Sequence, residues 1–167
     1  MRLTSGFLAS LSVLLLSGCL YGFAGGGLPP SIKTVAVLPF DNQTPEPTLT
    51  QEVSVAVREA VQSRLGLREA SENQADAVVR GTISRYEPDL PVAYQGNSQN
   101  NQVTVSRRLV QITVSVEILD QRRGKPLWSR SGLLLEGDYS PGQERDGRQK
   151  ALDKLVTNIV EGAQSQW

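Results

Sequence analysis

The sequence contains no histidine and only one cysteine, Cys19, in 167 residues. Histidine and cysteine supply the usual nitrogen and sulfur ligands of metal sites, and they take part in Ser-His and Cys-His catalytic sites. Because Cys19 is assigned below to a lipid, the composition excludes both kinds of site and predicts no cofactor. Carboxylates do occur at predicted strand ends, but nothing fixes their spacing, so we expect no enzyme.

An excess of charge of either sign is also missing. The chain has 17 basic and 17 acidic residues, and it therefore does not have the composition of a nucleic-acid-binding protein. The basic residues are nevertheless unevenly spread, and six of them fall between positions 101 and 135: Arg107, Arg108, Arg122, Arg123, Lys125 and Arg130. They are candidate contacts for an anionic partner, although a solvated turn explains the same pattern equally well.

An apolar run long enough to span a membrane as a helix is absent as well. The one apolar run, Phe7 to Leu16, follows Arg2 and is too short to span a bilayer, so residues 1–18 are predicted to be a secretory leader. Leu16-Ser17-Gly18-Cys19 resembles the bacterial lipobox, which implies that Cys19 is lipidated and becomes the mature N-terminus. The alternative, an ordinary cleavage site with a free thiol, leaves the single cysteine unexplained.

The residues after Cys19 predict a short tether. The residue after the cysteine is Leu20 and not an aspartate. By resemblance to bacterial lipoproteins, this suggests that the protein is sorted to the outer membrane. Residues 19–30 are rich in glycine and end in Pro29 and Pro30, which is typical of a flexible linker. We therefore expect a lipid-anchored domain that comprises residues 31–167.

The first half of the domain predicts a strand, a helix and a second strand. The strand from Ile32 to Phe40 reads as buried on both faces. An amphipathic helix runs from Leu49 to about Gly66, with Thr48 and Gln51 at the spacing of a capping box. Asp41 and Asn42 then read as turn residues rather than catalytic ones. The second strand spans Ala77 to Tyr86, where Gly81 indicates a bulge or a close backbone approach.

The second half begins with residues 88–102, whose prolines and amides predict a long, mobile, Gln/Asn-rich loop. Val103 to Leu119 alternates as a strand with one apolar and one polar face. Asp120 to Lys125 predicts a hairpin turn in which Gly124 takes positive φ, and Pro126 to Leu135 predicts the returning strand. A last helix follows Ser140, with an apolar stripe formed by Leu152, Leu155, Val156, Ile159, Val160 and Ala163.

The predicted order is βαβββα. These elements predict an α+β fold of two layers, in which a four-stranded, mainly antiparallel sheet carries two helices on one face. The other face is expected to be open, because the third strand alternates between apolar and polar residues.

Several segments together resemble the LptE family of lipopolysaccharide-assembly lipoproteins. The resemblance covers about residues 19–163 and rests on Cys19, LPPSIKTVAVLPFDNQTPEP, ADAVVRGTISRY, the strand RRLVQITVSVEILDQRRGKPLW and the final amphipathic helix. It implies an outer-membrane protein that faces the periplasm and plugs the lumen of the LptD β-barrel. It also implies that the protein assists assembly of that barrel and helps deliver lipopolysaccharide.

A second resemblance leads to a different function. VAVLPFDNQT, from Val35 to Thr44, is also similar to the opening strand and loop of CsgG-like and LpoB-like lipoproteins. That resemblance implies a secretion-pore subunit or an activator of peptidoglycan synthases, so both alternatives stay open at this point.

Overall fold

The computed structural model describes residues 28–97 and 102–165. The predicted leader, Cys19, the tether up to residue 27 and residues 98–101 lie outside the described residues. The described strands are β1 Thr34–Val37, β2 Asp41–Asn42, β3 Arg68–Glu69, β4 Ala77–Asn97, β5 Gln102–Asp120 and β6 Lys125–Tyr139. The described helices are α1 Thr48–Ser63, α2 Glu144–Ser165 and a short 3-10 helix at Glu72–Gln74.

The predicted α+β class with two helices is confirmed, but the predicted sheet is wrong. The sheet has six strands and is mixed, with the order β3-β1-β4-β5-β6 and with β2 paired to β4. β1 pairs in parallel with β3 and β4, and β2 pairs in parallel with β4. β2 and β3 are not predicted from the sequence, because each contributes only two residues, too few for a periodic pattern.

The predicted strand from Ile32 to Phe40 is interrupted at Pro39. Leu38 donates its N–H to the carbonyl oxygen of Val79 at 3.0 Å, but Pro39 has no N–H to continue the ladder. Pairing with β4 resumes at Asp41, in β2. The chain therefore lies along β4 in two pieces, and the predicted burial of both faces is confirmed for the first piece.

Gly81 is a point of close approach, as predicted. A Cβ atom at this position would lie 2.3 Å from the Phe40 ring and 2.4 Å from the carbonyl oxygen of Ser115. Phe40 is only 2% exposed, so its ring covers the glycine and fills the gap that Pro39 leaves in the strand.

The predicted loop over residues 88–102 is wrong, since its described residues belong to β4 and β5. β4 continues to Asn97 and pairs antiparallel with β5 from Gln102 onward. Pro88 and Pro91 lie at shifts in the pairing register, where a strand tolerates a missing N–H. β6 ends at Tyr139, which pairs with Arg108, and Arg108 pairs with Pro91, so residues 92–97 and 102–107 extend beyond β6 as a two-stranded ribbon that we call the arm.

One face of the sheet forms the main core. The apolar face predicted for β5 is buried in full, at 3% exposure or less: Val110, Ile112, Val114, Val116 and Ile118. The stripe predicted for the last helix is also buried. α2 approaches β6 closely where two glycines meet, because a Cβ atom on Gly137 would lie 1.8 Å from the carbonyl oxygen of Gly147.

The opposite face is mostly polar. Gln111, Thr113, Ser115 and Glu117 are partly exposed there, which confirms the predicted two-sided character of β5. A small apolar cluster of Ala36, Ala75 and Val78 covers this face only near β1. We call the rest of this surface the open face.

The start of α1 differs from its prediction. Pro47 occupies the N-cap position, and no side chain caps the helix there. Thr48, predicted to begin a capping box, instead donates its hydroxyl to Glu46 Oε1 at 2.6 Å. Asp41 and Asn42, predicted to be turn residues, form the strand β2, although the Asn42 Oδ1 does accept the N–H of Thr44, at 3.0 Å, just after the strand.

None of the helices in the described part of the chain is both long and apolar enough to cross a membrane. Within residues 28–97 and 102–165, no three acidic, histidine or cysteine side chains group together in a way that could hold a metal ion.

Candidate functional site

The structure does not bring the six candidate basic residues together. Arg107 and Arg108 lie at the base of the arm, whereas Arg122, Arg123 and Lys125 lie in the β5–β6 turn. Asp120 lies twelve residues after Arg108 on β5, a separation of roughly 40 Å at the rise of a strand. Arg130 lies on β6 between the two groups. An anionic partner would therefore meet two separate surfaces.

Residues 121–125, which we call the basic turn, are held by a buried carboxylate. Asp120 is 2% exposed, and its Oδ1 accepts the N–H groups of Arg122 at 2.9 Å and Arg123 at 3.0 Å. Gly124 takes a φ of 63°, as predicted, and donates its N–H to the carbonyl oxygen of Asp120 at 2.8 Å. The backbone is thus fixed, while the Arg122 and Arg123 side chains stay 72% and 65% exposed.

A second buried carboxylate joins the basic turn to the start of β1. Asp76 Oδ1 lies 2.6 Å from Arg122 Nη2, and its Oδ2 accepts the N–H groups of Lys33 and Thr34, each at 3.0 Å. The hydrogen bond from the Lys33 backbone, followed by that from the Thr34 hydroxyl, holds the pKa of Asp76 below its ordinary value. We call this end of the sheet, where β1 begins, the entry end.

The two arginines at the base of the arm already have partners. Arg107 pairs with Asp138, and Arg108 pairs with Asp89. The hydrogen bond from Arg108 holds the pKa of Asp89 below its usual range. Tyr139 supports the same junction, because its hydroxyl donates to the carbonyl oxygen of Pro88 at 2.6 Å. These ion pairs leave little of the predicted charge at this end for a ligand.

Arg130 and Lys125 are exposed and form no ion pair with the residues that the structure describes. Arg130 borders a shallow polar depression of about 400 Å³, which reaches from β4 across β5 to β6. Its lining includes Arg80, Thr82, Ser115, Glu117 and Ser129. Arg80 Nη2 lies 2.7 Å from Glu117 Oε2, so one ion pair crosses the floor of the depression.

Sequence reasoning missed Arg80 as a member of this surface. A signal was available, because Arg80 and Glu117 lie on the polar faces of the two strands that pair with each other. Once the register of β4 against β5 is assigned, opposite charges at directly paired positions indicate a cross-strand ion pair.

A second groove lies between the helices, with a volume of about 510 Å³. Arg148 of α2 links its walls, since its Nε lies 3.2 Å from Glu52 Oε2 of α1 and its Nη1 lies 2.8 Å from Glu144 Oε1. Tyr86 of β4 donates its hydroxyl to the same Glu144, and burial raises the pKa of the Tyr86 phenol. This network ties both helices to the sheet.

The arm carries three of the large apolar side chains that are at least half exposed in the described residues, and Leu134 of β6, at 56%, is the other. Val92, Tyr94 and Val103 are 50%, 62% and 70% exposed. Val92 and Tyr94 fall in residues 88–102, which the sequence predicts to be a loop, whereas Val103 is the first residue of the predicted strand Val103 to Leu119.

A mixed sheet with two helices on one face defines a fold shared with other bacterial proteins of known structure. PelC from Paraburkholderia phytofirmans, solved as a dodecamer, is 17% identical, with a TM-score of 0.51 over 84% of this chain and 95% of PelC. A protein from Xanthomonas campestris is 14% identical, with a TM-score of 0.51 over 80% of this chain and 86% of that protein. These similarities concern the fold alone.

The sequence itself gives the family. The LptE family model, described as lipopolysaccharide-assembly, matches residues 32–162. The chain therefore belongs to the LptE family, as its sequence indicated. None of the curated protein sequences matches it.

Proposed function

We propose that this LptE-family protein is an outer-membrane lipoprotein, anchored through Cys19, that plugs the lumen of the LptD β-barrel. In this role it assists assembly of the barrel and helps deliver lipopolysaccharide to the outer leaflet. The observation that carries the proposal is the family match over residues 32–162, which spans nearly the whole described domain.

The open face supports the proposal. The interior walls of large outer-membrane barrels are polar, so a plug needs a polar surface rather than an apolar one. The apolar stripes of both helices are already buried in the core of the domain. Gln111, Thr113 and Glu117 present amide, hydroxyl and carboxylate groups on the open face.

The six basic residues differ in their suitability as contacts with the barrel or with lipopolysaccharide. Arg107, Arg108 and Arg122 are committed to aspartates of the same chain. Arg123 lies 3.9 Å from its nearest carboxylate oxygen, at the limit of an ion pair. Arg123, Lys125 and Arg130 are therefore the residues best able to meet phosphate or carboxylate groups.

The test is to purify the tagged full chain from native outer membranes in mild detergent and to identify what remains bound by mass spectrometry. We expect a stoichiometric barrel of the LptD kind. Recovery of a peptidoglycan synthase, or of a ring of this chain without a barrel, would favour the CsgG-like or LpoB-like alternative and contradict the plug.

Two variants make this test specific. Cys19→Ala removes the proposed site of lipidation and should release the protein from the membrane fraction. Thr113→Trp adds bulk at the centre of the open face, where we expect it to reduce recovery of the barrel at least about tenfold, since a packed interface tolerates little added volume. Thr113→Ser is the matched control and should retain the barrel.

A further inference from the structure

The basic turn lies beside the point where the chain enters the domain. Leu28 packs against the main core, and Ile32 donates its N–H to the carbonyl oxygen of Pro29 at 2.8 Å. The next residue, Lys33, donates its N–H to Asp76, whose other oxygen pairs with Arg122. The path of the chain from Leu28 to the basic turn is therefore fixed by contacts within the domain.

The distance from this point to Cys19 is short. Leu28 lies nine residues after Cys19, and this length of chain spans at most roughly 30 Å when fully extended. If Cys19 carries lipid, as the proposed function requires, Leu28 cannot lie farther than this from the membrane surface, and β1 begins at the entry end only six residues later, at Thr34. The base of the arm is not confined in this way, because it lies roughly 40 Å farther along β5.

The exposed charges at the entry end are mainly basic. Lys33, Arg123 and Lys125 are exposed and form no short ion pair with the described residues, whereas Asp76 and Asp120 are buried and accept backbone N–H groups. The exposed carboxylates nearby include those of Glu69 and Glu72. Glu69 pairs with Arg58 at 3.0 Å, and Glu72 lies beside Gln121, which donates its side-chain N–H to the Glu72 carbonyl oxygen at 2.8 Å.

We propose that the basic turn binds the anionic phospholipid headgroups of the leaflet that holds the lipid anchor. This second contact fixes the orientation of the domain on the membrane, with the entry end toward the headgroups and the arm directed away. Basic side chains near an anionic surface attract it over about one Debye length, and salt weakens the attraction.

The test uses residues 19–167 with Cys19→Ala, which retain every described contact of the fold but carry no lipid. Sedimentation is measured with vesicles that contain phosphatidylglycerol and with vesicles of phosphatidylcholine alone. We expect binding to the anionic vesicles only, with a loss of at least about tenfold when the salt is raised to about 0.5 M. Binding to neither kind of vesicle, or to both equally, would overturn the proposal.

Charge variants locate the contact. Arg123→Gln with Lys125→Gln should weaken binding to anionic vesicles about 10- to 30-fold, the effect expected for two basic residues at such a surface. Arg145→Gln with Lys154→Gln removes the same charge from exposed positions of α2 and should have little effect. Equal losses in the two pairs would mean that only net charge matters, which would contradict a contact at the turn.

Vesicles of a third composition distinguish the proposed phospholipid contact from the proposed role as a barrel plug. Vesicles in which lipopolysaccharide replaces phosphatidylglycerol should bind no more tightly, and a strong preference for them would assign the turn to lipopolysaccharide instead. Thr113→Trp, which should reduce recovery of the barrel, lies outside the basic turn and should bind anionic vesicles as tightly as the parent. If the double variant at the turn binds anionic vesicles as tightly as the parent, the proposed phospholipid contact is wrong, whether or not the plug is correct.

Discussion

The same two strands behave differently in the two halves of their length. From Ala77 to Ile83, β4 pairs with β5 in an unbroken register, and the helices bury the inner face. Beyond Ile83 the register shifts four times, and the side chains of the arm are largely exposed. The comparison shows where packing ends, because in the arm the sheet is continued by strand pairing alone, without burial of either face.

The largest expected difference between the two halves comes from removing an apolar side chain. Ile112 is fully buried, so Ile112→Ala should lower the free energy of unfolding by about 3–4 kcal/mol. Val103 is 70% exposed in the arm, so Val103→Ala should change it by less than about 0.5 kcal/mol. Urea unfolding of both variants measures the contrast, and equal losses would mean that the arm packs against the body.

Two glycines test the same contrast by adding a methyl group. Gly137→Ala places its Cβ against the backbone of Gly147 and should cost about 2–3 kcal/mol. Gly96 in the arm has nothing within 4 Å of such a Cβ, so Gly96→Ala should be tolerated. Thermal unfolding distinguishes the two. A Gly137→Ala variant as stable as the parent would show that α2 can move away from β6 at little cost.

The basic turn depends on its buried carboxylate. Asp120→Ala leaves the N–H groups of Arg122 and Arg123 without their acceptor and should cost about 2 kcal/mol. Asp120→Asn keeps an oxygen acceptor and should recover part of the loss. If chemical denaturation shows the alanine variant to be as stable as the parent, the turn does not need this side chain to fold.

Low pH should lower the free energy of unfolding, because protonation of Asp76 removes its interactions at the entry end. Its pKa is lowered in the folded state, so its contribution to stability is present above the ordinary aspartate value of about 3.9 and is lost as pH falls through the lower folded value. We therefore expect little change from pH 7 to 5 and a decline below about pH 4. Denaturation curves of Asp76→Asn should decline less steeply in acid than those of the parent, and parallel declines would assign the effect to other carboxylates.

The smallest effect on stability is expected in the arm itself. Replacing Val92, Tyr94 and Val103 together by serine removes its exposed apolar groups and should shift the melting temperature very little, because these side chains have few contacts to lose. Differential scanning calorimetry measures this. A large drop would show that the arm is a cooperative part of the core.

Patterns in the sequence predicted the parts of the fold that have a buried face. The alternation of β5 and the stripe of α2 were sufficient, because burial imposes their periods. The arm could not be predicted, since Pro88, Pro91 and the amides argue for a loop and only pairing with β5 makes them a strand. Three ion pairs could not be predicted either, those of Arg107, Arg108 and Arg122. Their aspartate partners lie 19 or more positions away in the sequence, so no local pattern indicates them.

The parallel pairing of β1 with β4 has a consequence for folding kinetics. Val35 pairs with Ala77, so this contact closes a long loop, whereas β5 and β6 are joined by one short turn. Local contacts form faster than distant ones, and we expect the β4–β5–β6 meander to form before β1 docks. A chain in which β1 has not yet docked would expose the edge of β4 for longest, which makes that edge the place where a chaperone would protect it from aggregation.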